Sequence, residues 1–224
     1  MFESKYSKVL TVVLVIVIIA IVALLGFLSY DFIKKYNTSK QASDFVEEYQ
    51  GNLTTGDQGN DTVQENVTLD DANETPITST STSGNSGKKK YEGFTVVGTM
   101  KIPAINLEYP IVQEVSTKAL EKALIALYPS GDNLNLPGNT VVIGHNYRNG
   151  MFFSNLKKLT NGAKIYVTDF RGKSLTYEVY NKFEASSTDT SFYTRDTNGL
   201  AELTLSTCTD ASNDQRTIIF AKQI

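Results

Sequence analysis

The chain has 224 residues, 21 Lys and Arg against 24 Asp and Glu, a formal net charge of −3, and a hydrophobic share of 41%. That balance leaves no strongly basic face, which argues against a nucleic-acid binder. One Cys and one His exclude an internal disulfide framework, a Cys-rich zinc site and a multi-histidine metal site.

Residues 1–8 form a short polar tail. Val9 to Leu28 is then a run in which only Thr11 and Gly26 interrupt Val, Ile, Leu, Ala and Phe. At about 1.5 Å per residue such a run spans about 30 Å, the thickness of a hydrocarbon core. It leads into Ser29-Tyr30-Asp31-Phe32, which lacks the small-x-small pattern of a cleavage site, so a retained signal anchor is expected over residues 9–28. Lys5 and Lys8 precede the run and Lys34, Lys35 and Lys40 follow it, so the positive-inside count does not favour an inside N-terminus.

Residues 29–50 read as a membrane-proximal extension of the anchor helix, with Phe45, Val46 and Tyr49 as a weak apolar stripe. Composition then changes. Residues 51–90 are rich in Thr, Asn, Gly, Ser and Asp and contain no aromatic residue. They lack the apolar surface needed to offset ordering entropy. A flexible tether is expected, with an end-to-end distance of roughly 35 Å for a Gly/Ser-like coil of this length. Lys88-Lys89-Lys90 closes it as a solvated boundary.

Aromatic residues return at Tyr91, and residues 91–224 read as the folded domain. Strands are expected at Phe94–Met100, Glu108–Gln113, Thr140–Gly144, Lys164–Asp169, Lys173–Phe183, Leu200–Cys208 and Thr217–Lys222, from alternation or short apolar runs. Asn161-Gly162, Arg171-Gly172 and Asn198-Gly199 mark turns. Two short helices are expected between strands. One is Ser116–Leu127, with Ala119, Leu120, Ala123, Leu124 and Leu127 at helical spacing and Ser116 as N-cap. The other is Phe152–Leu159. The fold class is mainly β, a closed or sandwiched architecture.

Three residues carry candidate chemistry. Cys208 ends the segment Thr204-Leu205-Ser206-Thr207-Cys208. Strand alternation puts it on the side of Glu202, Thr204 and Ser206, away from Leu203 and Leu205. Parity alone leaves a reactive and an inert thiol both open. His145 follows the apolar strand Val141-Val142-Ile143-Gly144. It is the one side chain that titrates near neutral pH in a chain with one thiol. Arg216 lies eight residues after Cys208. If the last two strands form a hairpin centred on Ser212, positions 208 and 216 are cross-strand partners.

The Thr-Leu-Ser-Thr-Cys segment with Arg216 downstream and Gly144-His145 upstream resembles the sortases, membrane-anchored cysteine transpeptidases of Gram-positive bacteria. Val97-Gly98-Thr99-Met100-Lys101-Ile102-Pro103 followed by Tyr109-Pro110-Ile111-Val112 is similar to their N-terminal strands. The likeness covers about residues 94–224. It implies a closed eight-stranded β-barrel, with Cys208 as nucleophile, His145 as acid/base and Arg216 as oxyanion or substrate stabiliser. Thr207 is a substrate-binding candidate. No cofactor or metal is implied, because a thioester intermediate stores the acyl-transfer potential. The implied partners are a surface-protein sorting-signal peptide and a peptidoglycan precursor amine. The barrel would then lie outside a single-pass membrane anchor. Gly144-His145-Asn146, Met151-Phe152 and the Ser of the Cys segment resemble class B sortases. The stretch Glu184–Gly199, where class B carries a long helix, is short and not helical in pattern. No Asp-Pro-aromatic lid motif precedes the barrel, which favours a surface-protein or specialised sortase over a pilin polymerase. The rival readings are a tethered β-barrel adhesin and a cysteine hydrolase without transpeptidation.

Overall fold

A computed structural model describes residues 5–55, 88–129 and 131–224. The chain divides into two units, residues 1–44 and 45–224. Helix α1 (Lys5–Thr55) supplies the first unit. Its large apolar side chains from Val9 to Leu28 are all exposed. Among the described residues this is the one helix long and apolar enough to cross a membrane, as expected of a span with no protein surface to cover it.

The second unit is built on nine described strands: β1 (Lys90–Tyr91), β2 (Phe94–Ile102), β3 (Leu107–Val112), β4 (Leu124–Tyr128), β5 (Gly138–Ile143), β6 (Lys164–Asp169), β7 (Ser174–Ser186), β8 (Ala201–Cys208) and β9 (Gln215–Gln223). Their order is β1-β2-β3-β4-β5-β8-β9-β7-β6, and β6 pairs again with β2. Eight strands therefore close into a barrel, and β1 is an appended hairpin strand. Closure removes the open sheet edge. Two of the contacts are parallel, β3 with β4 and β5 with β8; the remainder are antiparallel.

The seven expected strands are all present. The Ser116–Leu127 helix is corrected. Only α2 (Thr117–Leu120) is helical, capped by Ser116, whose Oγ accepts from Ala119 N at 3.1 Å. The second half of that segment is strand β4, paired with β3 through Ile111–Leu124 and Val112–Ile125. Leu124, Ile125 and Ala126 are all buried. A strand covered on both faces is a continuous apolar run, which periodicity does not separate from a buried helix. The Phe152–Leu159 helix is a 3-10 helix over Phe153–Lys158.

The expected tether over 51–90 lies mostly outside the described residues. At its start α1 continues to Thr55, and at its end Lys90 already belongs to β1. The last turns of α1 pack on the barrel, which sustains the helix there. Val46 is fully buried and Tyr49 nearly so. The Phe45 ring meets Tyr91 edge-on at 4.9 Å, and Gln50 Nε2 donates to Thr99 Oγ1 at 3.2 Å. Burial and the nearby Asp169 carboxylate push the Tyr49 phenol up to about 12. The apolar stripe is thus a docking face of the folded unit.

Strand β8 lies centrally, between β5 and β9. Every residue from Ala201 to Thr207 is buried. Leu203 and Leu205 sit opposite Ala221 and Ile219, and all four are fully buried. The other face of β8, with Glu202, Thr204 and Ser206, is covered too, so Cys208 ends a strand that is closed on both sides.

Candidate active site

Strands β5 and β8 run parallel in a constant register, from Gly138 opposite Ala201 to Ile143 opposite Ser206. Two residues further along each chain lie His145 and Cys208. The ladder continues past the strand ends, where Gly144 N donates to Ser206 O at 3.3 Å. Thr207 Oγ1 donates to Gly144 O at 2.7 Å, and Asn146 Nδ2 donates to Cys208 O at 2.8 Å. These bonds stitch residues 144–146 to 207–208 and bring His145 and Cys208 out at the same end of the barrel. Gly144 permits the close approach. A Cβ there would stand 2.7 Å from Leu124 Cδ2 and 2.9 Å from Phe153 Cδ2.

On its other side β8 pairs antiparallel with β9, and Cys208 is the partner of Arg216, as the hairpin spacing expects. Arg216 Nη1 donates to Cys208 Sγ at 3.3 Å. The same nitrogen donates to Gln215 O at 3.3 Å and to Asn213 O. The guanidinium is therefore held by its own turn while it faces the thiol. Both Cys208 and Arg216 are half-buried, as groups at the mouth of a cleft are.

The His145 loop is braced by aromatic packing. The His145 and Tyr147 rings lie 4.7 Å apart, and Phe152 stacks on Tyr109 at 4.7 Å. Phe152 adopts φ 48° and ψ −129°, a conformation unfavourable for a residue with a Cβ. Such strain persists only where surrounding contacts over-determine it. Here Phe152 is buried and the following Phe153 N donates to His145 O at 3.0 Å. Burial holds the His145 imidazole below its ordinary value, and the Glu121 carboxylate opposes that shift. A half-buried imidazole at the same barrel end as a thiol paired with a guanidinium is a set equipped for proton transfer and for stabilising negative charge.

Thr207 lies elsewhere. It is buried, its hydroxyl is taken up by Gly144 O, and alternation turns it to the opposite side of β8 from Cys208. Sequence reading did not single out the residues that join the two loops. Asp210 Oδ1 accepts from Asn146 Nδ2 at 2.9 Å, Arg148 Nε donates to Asp210 O at 2.8 Å, and Lys157 pairs with the Asp210 carboxylate. The positions of Asn146 next to His145 and Asp210 next but one to Cys208 are their one sequence signal. Among the described residues, no three His, Cys, Asp or Glu side chains converge to hold a metal ion.

Comparison with known proteins places this arrangement. A sortase-domain family model matches residues 100–224, more than half the chain. Sortase A of Bacillus anthracis is 27% identical over 133 residues, covering 56% of this chain and 58% of that protein. The structure of sortase A from Corynebacterium diphtheriae is 30% identical with a TM-score of 0.52, covering 58% of this chain and 61% of that one. The chain thus spans less than two thirds of the length of these two relatives. Sortase C-1 from Actinomyces oris, at 21% identity and TM-score 0.53, covers 81% of this chain and 98% of that one; at that identity the likeness is one of fold alone.

Proposed function

Because this chain belongs to the sortase family, we propose that it is a membrane-anchored cysteine transpeptidase that cleaves a sorting-signal peptide and passes its acyl group to an amine. The observation that carries this reading is the convergence on Cys208. Its strand is flanked by β5, which leads to His145, and by β9, which places Arg216 Nη1 3.3 Å from Sγ. One thiol, one imidazole and one guanidinium at the end of one strand trio suit acyl transfer.

In this mechanism the Cys208 thiol passes its proton to the His145 imidazole, and the resulting thiolate attacks the carbonyl carbon of the scissile peptide bond, so that a C–S bond forms. The carbonyl electron pair moves onto oxygen. Arg216 stabilises that oxyanion through N–H donors near the thiol. As the tetrahedral adduct collapses, the C–N bond breaks, and the His145 imidazolium gives its proton to the leaving amine. A thioester on Cys208 remains. The acceptor amine attacks it, His145 takes the proton released, and collapse returns the thiolate with a new amide in the product. The acyl donor is a surface-protein sorting signal and the acceptor a cell-wall precursor amine. The catalytic domain, which we assign to residues 91–224, faces the outside of the membrane, with residues 9–28 as its anchor.

The test uses the full chain in detergent micelles with a peptide library and an amine acceptor, products being read by mass spectrometry. Wild type is expected to give amide-linked products from one peptide class and a trapped acyl adduct on Cys208, and Cys208→Ala neither. Turnover of Cys208→Ala within about tenfold of wild type, about 1.4 kcal/mol in barrier, would sink the nucleophile assignment. Release of the free acid alone, with amine present, would make the protein a hydrolase.

A further inference from the structure

The His145 imidazole is held in place without a polar partner. Among the described residues, no protein group donates to or accepts from either ring nitrogen. What the ring meets is Tyr147, with centroids 4.7 Å apart and planes inclined by 36°. Tyr147 lies in turn 5.7 Å from Phe152, and Phe152 stacks on Tyr109 at 4.7 Å. Tyr109 and Phe152 are buried, whereas Tyr147 is 41% exposed. Four rings therefore run in a row from the barrel interior outward, and the imidazole ends it.

The backbone on both sides of Tyr147 is fixed. Asn146 forms an antiparallel bridge with Phe152, and its Nδ2 donates to Cys208 O at 2.8 Å. Asn146 Oδ1 accepts from Arg148 N at 3.0 Å, a side-chain turn that encloses Tyr147. Arg148 and Phe152 adopt φ 57° and 48°, and such strain persists only where the surroundings over-determine it. The direction of one exposed ring is thus set by the whole loop. A base beside a nucleophile is ordinarily oriented by a third group. The titratable and charged groups around this imidazole are Glu121 at the α2 C-cap, the Tyr147 phenol, and Arg148, Cys208, Asp210 and Arg216 at the same barrel end. Asp210 is taken up by Asn146 and Lys157, and none of the six bonds the ring nitrogens. An aromatic face within about 6 Å attracts a cation, and offset ring packing fixes the plane of its neighbour.

We propose that Tyr147 is a positioning residue that serves where a carboxylate would otherwise orient the base: its ring fixes the plane of the His145 imidazole, and its π face favours the imidazolium. This rests on the transpeptidase reading above. Each half of that reaction places a proton on His145. The first comes from the Cys208 thiol and goes to the leaving amine; the second comes from the acceptor amine as the thiolate leaves. Tyr147 therefore acts on the rate of bond exchange through His145 and leaves peptide binding alone.

The chain has one His, so the full chain in micelles, grown on isotope-labelled histidine, gives a single imidazole signal that can be titrated by NMR. Tyr147→Leu keeps an apolar cover over the imidazole and removes the π face; Tyr147→Phe keeps both. The Leu variant is expected to titrate about half a pH unit below wild type, equivalent to about 0.7 kcal/mol. On the peptide that wild type cleaves fastest from the library, its kcat is expected to fall about tenfold with KM within about twofold. Tyr147→Phe is expected to titrate with wild type and to recover kcat to within about threefold. A Leu variant that titrates at or above the wild-type midpoint would reduce the ring to a cover and overturn the proposal. An unchanged kcat with a lowered melting temperature would overturn it and make the row of rings a structural brace. A raised KM with unchanged kcat would overturn it too and place Tyr147 in the peptide cleft. A wild type that cleaves no peptide would refute the transpeptidase reading, and the two midpoints would still decide whether Tyr147 favours the imidazolium.

Discussion

Arg216 stands directly across the β8–β9 ladder from Cys208, with Nη1 3.3 Å from Sγ. Its position is fixed by backbone pairing rather than by side-chain reach. The guanidinium is also tied through Nη1 to Gln215 O and Asn213 O, and its planar fork carries N–H donors on Nε and Nη2 besides, which a lysine lacks. Arg216→Lys is expected to lower turnover by about 10²–10³, the usual loss for one oxyanion donor, and Arg216→Ala by at least as much. Both should melt close to wild type. Kinetics on the three proteins beside their melting curves decide it. Near-wild-type turnover in the Lys variant would leave only a general positive charge, and loss of folding in the Ala variant would make the residue structural.

His145 predicts a pH dependence of stability. Its imidazole in the folded protein lies below its ordinary value of 6.5, chiefly through burial. Between the two values the unfolded chain binds more protons. Stability from this group is therefore full above about 6.5 and lost as pH falls through the folded value. The unfolding free energy of wild type should drop more between pH 7.5 and the acid side of that window than that of His145→Gln. Parallel profiles for the two proteins would contradict the shift.

Gly144 is expected to tolerate no side chain. The built Cβ meets Leu124 Cδ2 and the Phe153 ring well inside van der Waals contact, and both residues are fully buried. Gly144→Ala should destabilise the barrel by about 1–3 kcal/mol, the usual range for overpacking, and should also lower turnover because His145 is the next residue. Denaturant midpoints with matched slopes measure the first effect. A midpoint equal to wild type would mean that the two neighbours yield without strain.

The end of α1 belongs to the folded unit, so its buried side chains should contribute to barrel stability. Tyr49→Ala removes a nearly fully buried ring, at an expected loss of about 3 kcal/mol. If residues 45–55 were only a tether, thermal melting of the full chain would not respond.

Much of the barrel could be read from residues alone. Leu175, Tyr177 and Val179 alternate with Ser174, Thr176 and Glu178, and that period of two identified β7. The eight-residue interval from Cys208 to Arg216 also required nothing beyond hairpin geometry. Leu124–Tyr128 was misread because its run of buried apolar side chains carries no period. It becomes a strand only because β3 and β5 flank it. The Arg195 guanidinium, which donates to Glu202 and Thr204 and stacks over Phe220, left no trace in the sequence, since these partners gather around it only when β8 and β9 pair and residues 187–200 fold back over them.

By itself the sequence determined the apolar run over residues 9–28, most of the strand pattern, and the candidate pair for thiol chemistry, since the chain has one Cys and one His. Tertiary structure decided their meeting. His145 and Cys208 are 63 positions apart in the chain, and no local propensity links them. They come together because β5 and β8, separated in sequence by β6 and β7, pair in parallel at one register. A shift by a single residue would turn each side chain to the other face of the strand. The same pairing buries Glu202 and Thr204 and gives Arg195 its partners. The sequence names the candidate groups through their chemistry; the register of non-local strands, fixed by burial on both faces of β8, decides what they face.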